Sequence, residues 1–307
     1  MILMRSGIGP EEELKKLEKH GYESRLVRPG VGKALSDRYE YGVVSRLQEP
    51  STIAAGASLD FGPNDRFFQE WKQGKGPYTT NGDFSALEIK TDPSLDAPNV
   101  MALDVIGRFT GYRVGYADEA LKDPSLVTHL VLDAHRGDQR GFLTVNPDDP
   151  FKPDINFAYH EDDVLRANGL GDDRSVIAHQ IENVARPIRD KARVVKEEVF
   201  PGDQVRGHDA LKEAVGKGTW GHHPVRTCKM GKASDPDAVC DSRFNVIGTQ
   251  GLRVIDASIF PGNMGTFLVS SVMLAAEKGA DLLDREAKLA DGDTQSPLAV
   301  SIQQRSK

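Results

Sequence analysis

Two adjacent histidines, a proline, an arginine, a cysteine and a closing glycine fall within thirteen residues in TWGHHPVRTCKMG, Thr219–Gly231. These residue types could serve three chemistries. His222, His223 and Cys228 are zinc-ligand types. Cys228 and a histidine could form a nucleophile with its base. A single histidine, whose unperturbed pKa lies near neutrality, could be held over some other reactive partner. The plainer reading makes one histidine a hydrogen-bonded core residue in a structural turn.

Spacing weighs against a metal. Successive side chains of an extended segment point to opposite faces, so His222 and His223 diverge. No CxxC or HxxxH repeat supports them, and no metal is expected. Nothing in the sequence lowers the Cys228 thiol pKa, and free cysteines are among the most buried residues. Two neighbours bear on that plainer reading. Pro224 fixes the backbone just past His223. LRVIDAS, Leu252–Ser258, reads as a strand that delivers an acid and small residues to a loop mouth, a favoured ligand position in open α/β sheets.

The elements around this stretch follow from pattern and punctuation. SGIGPEEELKKLEKHG, Ser6–Gly21, predicts a turn and a helix, with Pro10 and three acids in the first turn and Gly21 as the stop. A strand is expected over Tyr41–Leu47. MALDVIGRF, HLVLDAH, GFLTV and DINFAY are short β-branched and aromatic runs separated by GPYTTNGD and NPDDPFKPD, which predicts a mostly antiparallel sheet. Asp172–Ala192 is the strongest helix, capped by Asp172 or Asp173, with Pro187 expected to kink or end it. A second helix fits His208–Val215. Strands over Phe244–Ile247 and Leu252–Asp256 are expected to flank GTQG, followed by the loop SIFPGNMGT and a helix from about Phe267 to Leu283. The polar, aperiodic end is expected to be a disordered tail.

The 307 residues suffice for one large or two ordinary domains. A net charge of −7 argues against a nucleic-acid binder, which would show a basic domain or stripe. No apolar run approaches membrane-span length, and the start lacks a signal-peptide pattern. A soluble protein, cytoplasmic by default, is the expectation. Two cysteines, Cys228 and Cys240, do not make a disulfide framework, and whether they pair is left open.

Several stretches, in order, resemble one family: the glucose–methanol–choline (GMC) flavin oxidoreductases. SGIGPEEELKKL with RPGVGKALSDRYE resembles the family's mid-chain signature. GPYTTNG, GRFTGYRVGY and DPFKPDINFAYHED resemble its substrate domain, and GHHPVRTCKMG, AVCDSRFNVIGTQGLRVIDASIFP and AAEKGADLL resemble its C-terminal region. The resemblance runs from Ile2 to about Leu283 and implies a mixed α+β and α/β architecture. Residues 1–48 would be part of an FAD-binding domain and its connection. Residues 49–215 would form a GMC-type substrate domain, and 216–285 the C-terminal part of the FAD-binding domain with the active-site loop. Residues 286–307 would be the tail. The family's N-terminal Rossmann unit, with its GxGxxG fingerprint, is absent; GIGPEE is no substitute, because Pro10 and three carboxylates follow the glycines.

The resemblance implies FAD as cofactor and a small-molecule alcohol as substrate. His223 would accept the alcohol proton while hydride leaves for flavin N5. Asp256 and Ala257 would approach the FAD, and Leu268 would bring a backbone N–H to the flavin's pyrimidine edge. His222 would be a supporting or core residue. The family's second catalytic position, usually histidine or asparagine, falls on Phe267, which cannot hydrogen-bond; Asn263 lies four residues off register. Arg226 stands where the family has a small residue, and would either attract a carboxylate substrate or form a surface salt bridge. Three outcomes stay open: the C-terminal half of an alcohol dehydrogenase or oxidase, a non-catalytic chain that needs an N-terminal half from another chain, or an FAD-dependent non-redox cyclase or lyase.

Overall fold

The run YEYGVVSRL forms the longest strand of the computed structural model, which describes residues 1–91, 93–133, 140–160 and 172–290. In chain order the elements are α1 (Ile2–Arg5), β1 (Ile8–Gly9), α2 (Glu11–Glu18), β2 (Leu26–Val27), β3 (Tyr39–Leu47), α3 (Thr52–Gly56), α4 (Arg66–Trp71), β4 (Asp83–Ile89), β5 (Val100–Ile106), α5 (Tyr116–Ala120) and β6 (Leu126–Asp133). They continue with β7 (Phe142–Val145), β8 (Pro153–Asn156), α6 (Asp173–Gln180), a π-helical turn Ile181–Ala185, α7 (Arg186–Ala192), β9 (Val195–Phe200), α8 (His208–Gly218) and α9 (Val269–Ala290). No helix among the described residues is long and apolar enough to cross a membrane. The architecture is α+β with an antiparallel sheet, and the chain divides into two compact units.

One unit spans residues 37–137 and 160–222. Its sheet has the order β4-β5-β6-β3-β9, all antiparallel. The register aligns Val43, His129, Asp104 and Ser85 in one row across four strands. Side chains in such a row share a face. His129 Nδ1 donates to Asp104 at 2.8 Å, and its Nε2 accepts from the Gln180 amide at 3.1 Å, which ties α6 to the sheet. Burial pushes the Asp104 carboxyl up, but hydrogen bonds from His129 and the Ser85 hydroxyl outweigh it and hold it below the usual range. Val176, Ile177 and Ile181 are fully buried, each worth about 1.5–3 kcal/mol relative to exposure.

The expected helix over Asp172–Ala192 forms, and Asp172 caps it by accepting from the Ser175 N–H at 3.0 Å. Pro187 does not end it. The π turn just upstream lets Pro187 fall in the first turn of α7, where a missing N–H costs little. Two elements not expected from the sequence complete the sheet, β4 and β9. The latter carries Glu198, which is fully buried and gripped by Arg186 at 2.6 and 3.0 Å and by Arg189 at 2.6 Å.

The other unit contains residues 1–36, 138–159 and 223 onward. Its regular strands are few. β1 and β2 make a two-residue parallel pair, Ile8 with Leu26 and Gly9 with Val27. β7 and β8 form an antiparallel hairpin. Glu13 on α2 is buried and accepts from the Val145 N–H at 2.6 Å, which fixes the hairpin against the helix. The core joins Leu3, Met4, Leu17, Val225, Phe244 and Leu268. The strands expected over Phe244–Ile247 and Leu252–Asp256 are reduced to isolated bridges, Cys240 with Val246 and Asn245 with Arg253. α9 runs past Leu283 to Ala290, so residues 286–290, expected in the tail, are helical instead. Glu286 explains this: it pairs with Arg243 at 2.5 Å and with Arg253. Residues 291–307 lie outside the described residues.

Candidate active site

The histidine stretch is placed by its own backbone. Val225 N–H donates to the Ser36 carbonyl at 2.9 Å, and Ser36 N–H returns a bond at 3.3 Å. Gly32 N–H donates to the Thr227 carbonyl at 2.8 Å. Cys228 and Met230 N–H groups donate to the carbonyls of Ser258 and Ile259 at 2.9 and 2.8 Å. The segment after Pro224 is therefore stitched on two sides, and Val225 is buried in the core. His223 lies two residues ahead of that anchor and is half-buried. Its ring meets Phe267 edge to face, with centroids 5.5 Å apart and planes at 67°.

The adjacent rings go to different partners. His222 is exposed and stacks on Tyr112 at 3.9 Å and 29°, so it is not a core residue. Tyr112 belongs to an aromatic group with Phe109, Tyr116 and Trp220, whose rings meet edge to face at 5.0–5.7 Å. The loop bearing Phe109 can approach the sheet because β3 has glycine there: a Cβ at Gly42 would stand 2.3 Å from the Phe109 carbonyl oxygen. Sequence reasoning missed Tyr112 as the support of His222. The signal was the aromatic-rich GRFTGYRVGY, which by itself does not say what it packs against.

The remaining candidates fall as follows. Asp256 is exposed, and its Oδ1 accepts from the Ser258 N–H at 2.8 Å and the Ser258 hydroxyl at 2.5 Å, so it caps the short 3₁₀ turn Ala257–Ile259. Ala257 packs against the core. Leu268 buries its side chain in the core, and its carbonyl accepts from Val272 N–H at 2.8 Å to open α9. Asn263 donates from Nδ2 to the Ser36 hydroxyl at 3.3 Å, a support role. Arg226 adopts φ +84°, and its Nη1 donates to the Pro261 carbonyl. No carboxylate lies within ion-pair distance of it among the described residues, so the salt bridge expected as its plainer reading does not form.

Cys228 and Cys240 are both free thiols. Burial pushes the Cys228 thiol up, with a Ser258 hydrogen bond opposing, which is the reverse of an activated nucleophile. Burial also drives Cys240 up to about 12. An unfolded thiol ionises near about 8.5, so between there and about 12 the unfolded chain holds fewer protons and stability falls as pH rises. The expected result at pH 8 is slow reaction of Cys228 with Ellman's reagent and none of Cys240 until denaturant is added. Two fast thiols in the native chain would contradict this. No group of three histidine, cysteine or acidic side chains forms a metal site among the described residues.

Residues 137–276 match the family model described as GMC oxidoreductase. The oxygen-dependent choline dehydrogenase of Brucella anthropi is 32% identical over 304 residues, covering 95% of this chain and 51% of the relative. The enzyme of the same description from Staphylococcus saprophyticus is 30% identical over 290 residues, covering 92% and 48%. The chain thus spans about half the length of the curated relatives it matches. Among solved structures, pyridoxine 4-oxidase from Mesorbium loti superposes with a TM-score of 0.64 at 22% identity, over 91% of this chain and 48% of that one. A variant of the Aspergillus oryzae formate oxidase gives 0.70 at 22% identity, over 93% and 52%. At that identity the solved structures speak to fold alone.

Proposed function

Because the chain belongs to the GMC oxidoreductase family, we propose that it carries the active-site half of an FAD-dependent enzyme oxidising CH–OH groups, with His223 as the base. The observation that carries this reading is the placement of His223: half-buried, fixed by the stitched segment behind Pro224, and set against Phe267 just ahead of α9.

The residues present fit a flavin at its ring end. The first turn of α9 offers backbone N–H groups that the helix itself leaves without acceptors, beside exposed Val269 and Ser270. Leu268 and that turn would hold the pyrimidine edge, with Asp256 and Ala257 nearer the phosphates. The pyrophosphate end fits poorly. β1 leads into α2, but Pro10 and Glu11–Glu13 occupy the helix start, where carboxylates repel phosphate. When bound, FAD supplies the acceptor for the hydride that leaves the substrate carbon. His223 takes the hydroxyl proton, and a carbonyl compound remains. Phe267 leaves His223 as the single proton acceptor of the pair and keeps water off one side of the ring. The relatives' substrate, choline, is the first alcohol to test.

A second reading is that a separate N-terminal half completes the enzyme. It is favoured by the two-residue parallel pair β1–β2, a fragment with open edges, and by the exposed apolar residues Val269, Met273 and Leu274 on α9. The purified chain is accordingly expected to self-associate, as read by gel filtration with light scattering. A sharply monomeric, cooperatively unfolding preparation would contradict it. The test of the main reading is an absorption spectrum after incubation with FAD and gel filtration. Stoichiometric co-elution of flavin means that this chain makes its own site. Loss of flavin, with recovery when a dinucleotide-binding half is added, supports the two-part assembly. Loss under both conditions overturns the cofactor assignment.

A further inference from the structure

The geometry points to Arg226 as the positioning residue of the loop Pro261–Phe267, holding Phe267 against His223. Its backbone lies at φ +84°, in the left-handed region that glycine occupies freely and a side chain with a Cβ occupies under strain. Such strain persists where the surroundings over-determine the residue. Here Val225 is locked to Ser36 on one side and Cys228 to Ser258 on the other. The strained backbone aims the guanidinium at the first carbonyl of the loop, Pro261 O, to which Nη1 donates. Burial lowers the Arg226 pKa while Asp237 and Asp235 oppose that, and neither carboxylate is close enough to pair with it.

The loop needs such a tie. It contains Gly262 and Gly265, the latter at φ +63°, and Asn263 donates to the Ser36 hydroxyl at 3.3 Å. At its far end the Phe267 ring stands against His223. A guanidinium bond to a carbonyl is charge-assisted and stronger than the Asn263 bond. The Nη1 committed to Pro261 serves the loop. The placement holds whichever cofactor binds; its consequence for turnover rests on the reading of His223 as base.

The test uses the full chain labelled on histidine rings, with the His223 signals assigned through His223→Gln. Arg226→Gly removes the donor and relieves the strain. Arg226→Lys keeps a cationic donor able to reach Pro261. We expect Arg226→Gly to shift the His223 ring signals, which lose the Phe267 ring current. Chymotrypsin cleavage after Phe267 should speed up about tenfold, the loss of one charged hydrogen bond. The unfolding midpoint should not fall. Arg226→Lys should keep the wild-type signals and cleavage rate. Unchanged signals and cleavage in Arg226→Gly overturn the proposal, as does Arg226→Lys behaving like Arg226→Gly. If Arg226→Gly moves all histidine signals together and lowers the midpoint, Arg226 is a general stability residue and the positioning role is wrong. Neither readout needs FAD or turnover, so failure here leaves the assignment of His223 untouched.

Discussion

Replacing His223 with alanine in FAD-loaded protein is expected to lower kcat for alcohol oxidation by about 10²–10⁴, the usual worth of a positioned general base. The KM should move little, because the lost interaction strengthens only as the proton transfers. Stability should hardly change, since the ring is half-buried and the backbone around it is fixed by residues 225–230. His222→Ala separates the roles of the two neighbours. It removes an exposed ring stacked on Tyr112 and should cost far less activity. If both variants lose activity equally, the pair acts as a unit and the division of labour is wrong. If His223→Ala turns over normally, His223 is not the base. Phe267→Asn probes the same pair: a hydrogen-bonding side chain beside His223 should raise the oxidation rate, while an FAD-dependent non-redox reaction would gain nothing from it.

Much of this was legible from sequence, and the failures have physical causes. β3, β5 and β6 announce themselves as β-branched and aromatic runs, and Asp172 followed by Val176 and Ile177 announces a capped helix. β9 was missed because VKEEVF reads as a solvated charge run, yet Glu198 is buried. Its partners Arg186 and Arg189 lie about one helix away in sequence, and no local pattern reveals that pairing. Phe244–Ile247 and Leu252–Asp256 read as full strands because their alternation is real. Positive φ at Phe244, Gly248 and Gly251 breaks the ladder after one or two pairs. At the site, type and spacing made His223 stand out, and the divergence of His222 followed from period-two geometry. What stayed hidden was tertiary: Tyr112 under His222, Ser36 clasping Val225 and Asn263, and the backbone strain at Arg226. Family position marked Arg226 as unusual, but only a φ angle shows that the arginine occupies a conformation suited to glycine.

The buried charge on β9 carries the largest expected effect on stability. Glu198 satisfies two guanidinium groups at 2.6–3.0 Å, its side chain is fully buried, and its own N–H donates to Asp203 at 2.9 Å. Glu198→Ala leaves Arg186 buried without its countercharge, which costs about 3–5 kcal/mol. Against a total of about 5–15 kcal/mol for a domain, this brings the sheet-bearing unit to the edge of unfolding. The urea midpoint of the variant should fall steeply with little change in m. Tyr41, whose phenol is pushed up by burial and by Glu198, should become easier to ionise once that carboxylate is gone. The double variant Glu198→Met with Arg186→Met is the discriminating arm. If the energy lies in an uncompensated charge, replacing both partners with apolar side chains of similar volume should recover most of the loss. If the double variant is as unstable as Glu198→Ala, the network's geometry, including Arg189 and Asp203, is what holds β9 on β3. The sheet edge would then depend on hydrogen bonding more than on charge balance.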